Sequence, residues 1–157
     1  MNNLKRLLIQ PLLPVRNSVT VLVLLVALIG FADATYLAFE HYQGVVPPCT
    51  ITEGCEDVLT SSYAIVAGIP VSLLGAIYYF LILVGAFAYL ESKNEKLFRY
   101  SLYLTFFGVL CSLWFVYLQV FVIHSYCTYC LLSALTTTIL FIIAILIFKN
   151  KCQPRSY

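Results

Sequence analysis

Apolar residues in this chain come in long unbroken runs, and charge is confined to the gaps between them. Four runs, 19–39, 70–90, 98–123 and 127–148, reach the roughly 20 helical residues that cross a bilayer. Pro70 opens the second run, at a helix start where a missing N–H costs least. The pattern predicts one all-α integral membrane domain, a four-transmembrane-helix bundle with both chain ends on one side. Two loops then share the opposite side. One is long, residues 40–69, and the other is very short, residues 124–126. Within the long loop, Pro47-Pro48 favours an extended backbone. Residues 57–66 are apolar enough to form a short helix lying on the membrane surface, and Gly68 is a natural stop before Pro70. There is no internal repeat and no low-complexity segment.

Composition agrees with the pattern. The chain has 157 residues, 62% hydrophobic and 10% charged. Soluble domains are about a quarter charged, and disorder requires low hydrophobicity, so both classes are excluded. Nine basic residues against seven acidic ones form no patch suited to nucleic acid. The placement of charge is more informative. Lys5, Arg6 and Arg16 precede the first run; Lys93, Lys96 and Arg99 lie between the second and third; Lys149, Lys151 and Arg155 follow the fourth. The two loops on the other face hold no basic residue, but Glu40, Glu53, Glu56 and Asp57 are there. The positive-inside rule makes both termini cytoplasmic. A cleavable signal peptide ending near Ala32-Asp33-Ala34 is a rival reading of the N-terminus, although Tyr36 to Phe39 extend the run to spanning length. Either reading puts the long loop outside.

The six cysteines sort by side. Cys49 and Cys55 lie in the long outer loop, and Cys127 and Cys130 form a Cys-x-x-Cys at the outer start of the fourth run. Cys111 lies within the third run, where it is expected as a small buried hydrophobe, and Cys152 in the cytoplasmic tail is expected as a bystander. Positions i and i+3 share one helix face and suit a disulfide. A helix N-terminus favours a thiolate at or near Cys127. Cys130 lies about 4.5 Å deeper, toward any lipid-soluble acceptor. Electrons pass between cysteine pairs by thiol–disulfide exchange, so the loop pair has the makings of a relay. Cys49 is the more accessible to an outside protein, and Cys55 the nearer to Cys127; Glu56 and Asp57 beside Cys55 work against a thiolate there. Two purely structural disulfides, or a four-cysteine zinc site, fit the same spacing, although an oxidising compartment disfavours the free thiolates that zinc needs.

Taken together, Cys49-x5-Cys55, Ser61, Gly68-Ile69-Pro70 and Cys127-Thr128-Tyr129-Cys130 resemble the vitamin K epoxide reductase family, and the stretch from Gly54 to Gly75 resembles its prokaryotic branch. The likeness runs from Asp33 into the fourth run. It implies a bundle around a quinone, ubiquinone or menaquinone, with no metal. It implies that Cys130 meets the quinone, that Cys127 exchanges with Cys55, and that Cys49 takes electrons from a thioredoxin-like or DsbA-like partner. Ser61 would lie beside the quinone; a turn or cap role suits it equally. Many prokaryotic relatives carry a fused thioredoxin-like domain. With the chain ending at Tyr157, a separate partner is expected. Val71 and Ala134 stand where vertebrate relatives place an asparagine and a tyrosine, which counts against epoxide reduction.

Asp33 is the one ionisable residue inside a run, a functional candidate by default, with a proton relay as the sharper role and an interfacial one as the plainer. His41 and His124 read as interfacial polar residues, and Trp114, Tyr126 and Tyr129 as aromatic packing or belt residues. The expected function is a cytoplasmic-membrane thiol–quinone oxidoreductase with its active site outside, which drives disulfide formation there. The alternatives are a vitamin K quinone or epoxide reductase, or a non-enzymatic membrane protein stapled by disulfides. An outward thiol conduit would need a cytoplasmic thiol pair that a lone Cys152 does not supply. The DsbB family shares the chemistry, but there the Cys-x-x-Cys opens an earlier helix.

Overall fold

The computed structural model describes residues 15–49, 54–93 and 95–149. Lys5, Arg6, Glu53, Lys151, Cys152 and Arg155, all used in the sequence reading, lie outside the described residues. Among those described, four long helices form a bundle: α1 (Asn17–Gln43), α3 (Val71–Ser92), α4 (Glu95–Leu118) and α5 (Thr128–Lys149). Each is long and apolar enough to cross a membrane. The fifth helix, α2 (Cys55–Leu59), is a short one in the loop between α1 and α3.

The core forms where small residues let helices approach. Ala27, Gly30 and Ala34 of α1 face Tyr79 and Ala76 of α3. Gly30 has no room for a Cβ, because the Tyr79 ring occupies that space. Small residues at interfaces are the usual route to close packing in lipid, where hydrophobic burial alone does not drive helices together. Tyr79 then ties α3 to α5. Its hydroxyl lies 2.7 Å from Thr136 Oγ1, 2.8 Å from Thr137 Oγ1 and 2.8 Å from the Ser133 carbonyl oxygen. At the opposite end of the bundle, Lys93 sits in the left-handed region and closes α3, and its Nζ donates to Asn17 Oδ1 at 2.8 Å.

The loop helix is shorter than its apolar pattern suggests. A helix over 57–66 was the expectation; the helix observed ends at Leu59. The Thr60 hydroxyl donates to the Glu56 carbonyl at 2.7 Å and the Ser61 hydroxyl to the Val58 carbonyl at 2.7 Å, so side chains engage the last carbonyls of α2. Residues 65–66 instead form β1 (Ile65–Val66), paired antiparallel with β2 (Ile69–Pro70). Ala67 and Gly68, with φ of 51° and 81°, make the connecting turn; two consecutive left-handed residues are what a tight hairpin demands. This hairpin feeds Pro70 into the cap of α3.

The helix before the Cys-x-x-Cys also ends unusually. After Leu118 the chain takes a π-helical turn, Gln119–Ile123, and His124 reverses it with φ of 56°. Such insertions recur at functional sites.

Substituting Gly30→Leu is expected to force α1 away from Tyr79 and to destabilise the bundle by about 1–3 kcal/mol, the usual cost of overpacking. A lowered unfolding midpoint in detergent, relative to Gly30→Ala, checks this.

Candidate active site

The start of α5 is built to hold a sulfur. Cys127 lies ahead of α5 as its cap: its carbonyl accepts the Leu131 N–H at 3.0 Å. Its Sγ accepts the Cys130 N–H at 3.4 Å, the third amide of the helix. This is the N-cap arrangement with sulfur in place of the usual oxygen. The Cys127 N–H donates in turn to Gln119 Oε1 at 3.0 Å, and the Ser125 N–H to the Gln119 carbonyl at 3.2 Å. The π-helical turn is what aims the buried Gln119 side chain back at the cap.

The long loop closes over this cap. Gly54 has no room for a side chain: a Cβ there would stand 2.8 Å from Ser125 Cβ and 2.8 Å from the Tyr126 nitrogen. The Ser125 hydroxyl donates to Asp57 Oδ2 at 2.8 Å, and the Tyr129 hydroxyl to the Pro48 carbonyl at 3.4 Å. Cys49 and Cys55 are joined by a disulfide, with Cα atoms 5.8 Å apart. Cys55 and Cys127 are 2% and 0% exposed and pack in one cluster with Val58, against which Cys49, Tyr129 and Cys130 rest. Cys49 Sγ lies 4.0 Å from Thr128 Oγ1. All four cysteines singled out in the two pairs therefore meet at one end of the bundle. Cys127 and Cys130 are free thiols here.

The electrostatics of Cys127 follow from its position. The hydrogen bond from the Cys130 side chain is the largest influence and pulls the Cys127 thiol below its ordinary value; the backbone N–H groups of Cys130 and Tyr129 act the same way, and burial opposes them. A thiolate is thus favoured at the sulfur nearest the loop disulfide.

Behind Cys130 a cavity of about 1050 Å³ opens between the helices. Its lining is mostly apolar, and Asp33, Ser61, Tyr78, Cys111 and Cys130 face it. Val71 and Ala134 line it too, so the two positions that are polar in vertebrate relatives are apolar walls here. The Ser61 hydroxyl is engaged with the Val58 carbonyl, which gives it a turn-closing role whatever else it contacts. Cys111, expected as a buried hydrophobe, is only partly buried and belongs to the cavity wall, because α4 packs more loosely than its apolarity suggests. Among the described residues, no group of three or more His, Cys, Asp or Glu side chains is placed to hold a metal ion.

Sequence reasoning missed Gln119 and Gly54. Gln119 had a signal, as a lone amide within a long apolar run. Gly54 had none, since its role depends on backbone from α5's approach 70 residues away.

Two cysteine pairs buried together at the end of an apolar helical bundle define a thiol-redox oxidoreductase of the membrane. The profile of the Vitamin K epoxide reductase family matches residues 21–145, and the chain belongs to that family. It is also similar to thiol-disulfide oxidoreductase LTO1 of Arabidopsis thaliana, 32% identical over 123 residues, covering 72% of this chain and 32% of the relative. The chain thus spans about a third of the length of that curated relative.

Two outcomes are expected. Gly54→Val lifts the loop from Ser125 and Tyr126, so Cys127 is alkylated faster while Cys49–Cys55 stays oxidised; mass spectrometry after timed labelling reads both. In the reduced protein, Cys127 alkylation rises with pH to a midpoint below the ~8.5 of an ordinary thiol. Cys130→Ala removes the donor that favours the thiolate, so the midpoint moves up.

Proposed function

We propose that this protein is a thiol–quinone oxidoreductase that oxidises a thioredoxin-like or DsbA-like protein and reduces a membrane quinone. The observation that carries the reading is a continuous route: the Cys49–Cys55 disulfide packs on Cys127, and Cys130 borders an apolar cavity within the bundle. Electrons enter from partner thiols at Cys49–Cys55, pass to Cys127–Cys130 by exchange through a mixed disulfide, and leave through the cavity. Cys127 is the exchanging sulfur, because it is buried against Cys55 and favours the thiolate. Cys130 is the sulfur that faces the acceptor.

The cavity suits a quinone. Its volume is at the upper end for small-molecule sites. The Tyr78 hydroxyl is buried in its wall without a well-formed hydrogen bond, although Thr137 lies beside it; the Thr137 hydroxyl is engaged by Tyr79 at 2.8 Å. A buried unmet hydroxyl is a ready donor to a carbonyl oxygen. Tyr78 and Ser61 would orient the ring, the latter after its rotor leaves Val58. The quinone, ubiquinone or menaquinone, supplies a two-electron acceptor dissolved in the bilayer. Residues of this chain hold it, exclude water and present Cys130.

The basic residues described, Arg16, Lys93, Lys96, Arg99 and Lys149, all lie at or near the helix ends remote from the cysteines. The positive-inside rule supports an active site on the extracytoplasmic side of the cytoplasmic membrane. In that setting the net effect is disulfide formation in exported proteins. The name of the Arabidopsis relative, a thiol-disulfide oxidoreductase, supports the same direction of thought.

Purified protein with a reduced thioredoxin-like donor is expected to reduce ubiquinone or menaquinone, followed by absorbance. Cys130→Ala abolishes turnover, and Cys111→Ala retains it. Absence of turnover with both quinones in wild type, with both pairs left oxidised against the donor, would leave the disulfides as structural staples.

A further inference from the structure

Asp33 is a carboxylic acid on an otherwise apolar face of a membrane-spanning helix. It is half-buried, and it has no hydrogen-bond or ion-pair partner among the described residues. Intramembrane carboxyls are costly and are ordinarily paired, so an unpaired one needs a reason. Its position supplies one. Asp33 lines the same cavity as Cys130 and is within electrostatic range of both the Cys127 and Cys130 thiols.

Helix register supports this placement. The Tyr36 and Tyr129 rings meet with centroids 5.8 Å apart, which fixes the outer part of α1 beside the residue before Cys130. Asp33 lies three residues before Tyr36, on the same face and about 4.5 Å further along the helix axis. Its neighbour Ala34 packs on Gly75 of α3, where a Cβ would stand 3.5 Å away, so this stretch of α1 is pressed against the bundle and not turned to lipid. The other titratable groups facing the cavity are His41 on α1, Tyr63 in the loop, Tyr78 and Tyr79 on α3, Cys111 on α4, and Tyr129 and Cys130 on α5. No lysine or arginine lines it.

We propose that Asp33 is a catalytic acid–base residue that carries a proton between the Cys130 thiol and the quinone. The proposal rests on the thiol–quinone reading above. The overall step breaks two S–H bonds, at Cys127 and Cys130, and forms one S–S bond. Two electrons reduce the quinone to the quinol, and two protons end on its oxygens. Asp33, as carboxylate, takes the proton from Cys130 as that sulfur becomes the reductant. As carboxylic acid it gives the proton to the nearer quinone oxygen and returns to carboxylate. The second proton, from Cys127, leaves by the water-facing side, and its equivalent reaches the other oxygen from the same water. A carboxyl suits the task because no other acid or base of comparable strength faces Cys130 across the cavity; the hydroxyls of Tyr78 and Tyr129 are far weaker acids.

The test uses full-length protein in lipid nanodiscs, reduced with dithiothreitol and desalted, with decylubiquinone as the acceptor. Binding of decylubiquinone is measured by calorimetry on the oxidised protein. Formation of the Cys127–Cys130 disulfide in a single turnover is timed by quenching and alkylation, in H2O and D2O. Asp33→Asn is expected to bind decylubiquinone as wild type does, yet to form the disulfide about 10²–10⁴-fold more slowly, with a larger solvent isotope effect. Asp33→Glu is expected to recover most of the rate. If Asp33→Asn turns over at the wild-type rate, or loses binding in proportion to rate, Asp33 is not the carrier, while the thiol–quinone reading stands. If wild type itself neither binds nor is oxidised by decylubiquinone or menadione, that reading falls and takes the proposal with it.

Discussion

The rest of the structure depends on one contact, the seating of the long loop on the start of α5. It is made by backbone against backbone at Gly54, where even a methyl group would collide with Ser125 and Tyr126. That approach brings Cys55 into the same water-free cluster as Cys127. Thiol–disulfide exchange has a strict geometric demand, since the attacking sulfur must reach a particular sulfur of the disulfide. A loop held only by surface charges would meet that demand rarely. Here the Asp57–Ser125 and Tyr129–Pro48 hydrogen bonds reinforce a docking already defined by shape.

The bundle beneath serves this contact by fixing α5. Tyr79 binds α3 to three consecutive polar positions of α5, and Gly30 admits the same ring against α1. The three helices are thereby locked just below the Cys-x-x-Cys. Where α4 leans away, space remains, and the cavity behind Cys130 occupies it. Rigid packing on one side and an opening on the other thus come from the distribution of small and aromatic residues along the same helices.

Much of the fold class was legible because membrane spans are written in composition: long apolar runs with charge only between them admit few other readings. Four runs place alternate loops on alternate sides, so parity alone brought Cys49, Cys55, Cys127 and Cys130 to one face. Features that depend on distant contacts were not legible. The apolarity of residues 57–66 pointed to a longer helix, but Thr60 and Ser61 engage the last carbonyls of α2 and the chain turns into a hairpin. Cys111 looked like core, yet it borders a cavity, because apolarity does not distinguish a packed wall from an open one. Gln119 matters only through a π-helical turn that no local pattern announces.

The cap of α5 has a consequence for how the molecule behaves through a redox cycle. In most helices the capping atom is chemically inert, and the helix end is the same at all times. Here the capping atom is the Cys127 sulfur, which accepts the Cys130 N–H only while it is a thiol or thiolate. Once that sulfur is bonded to another sulfur, it is a far poorer acceptor, and the first turn of α5 is left with an amide to satisfy elsewhere. Each transfer of two electrons therefore loosens or tightens a helix end. The oxidised and reduced forms differ in local order as well as in bonding, and an encountering protein meets a different surface in each.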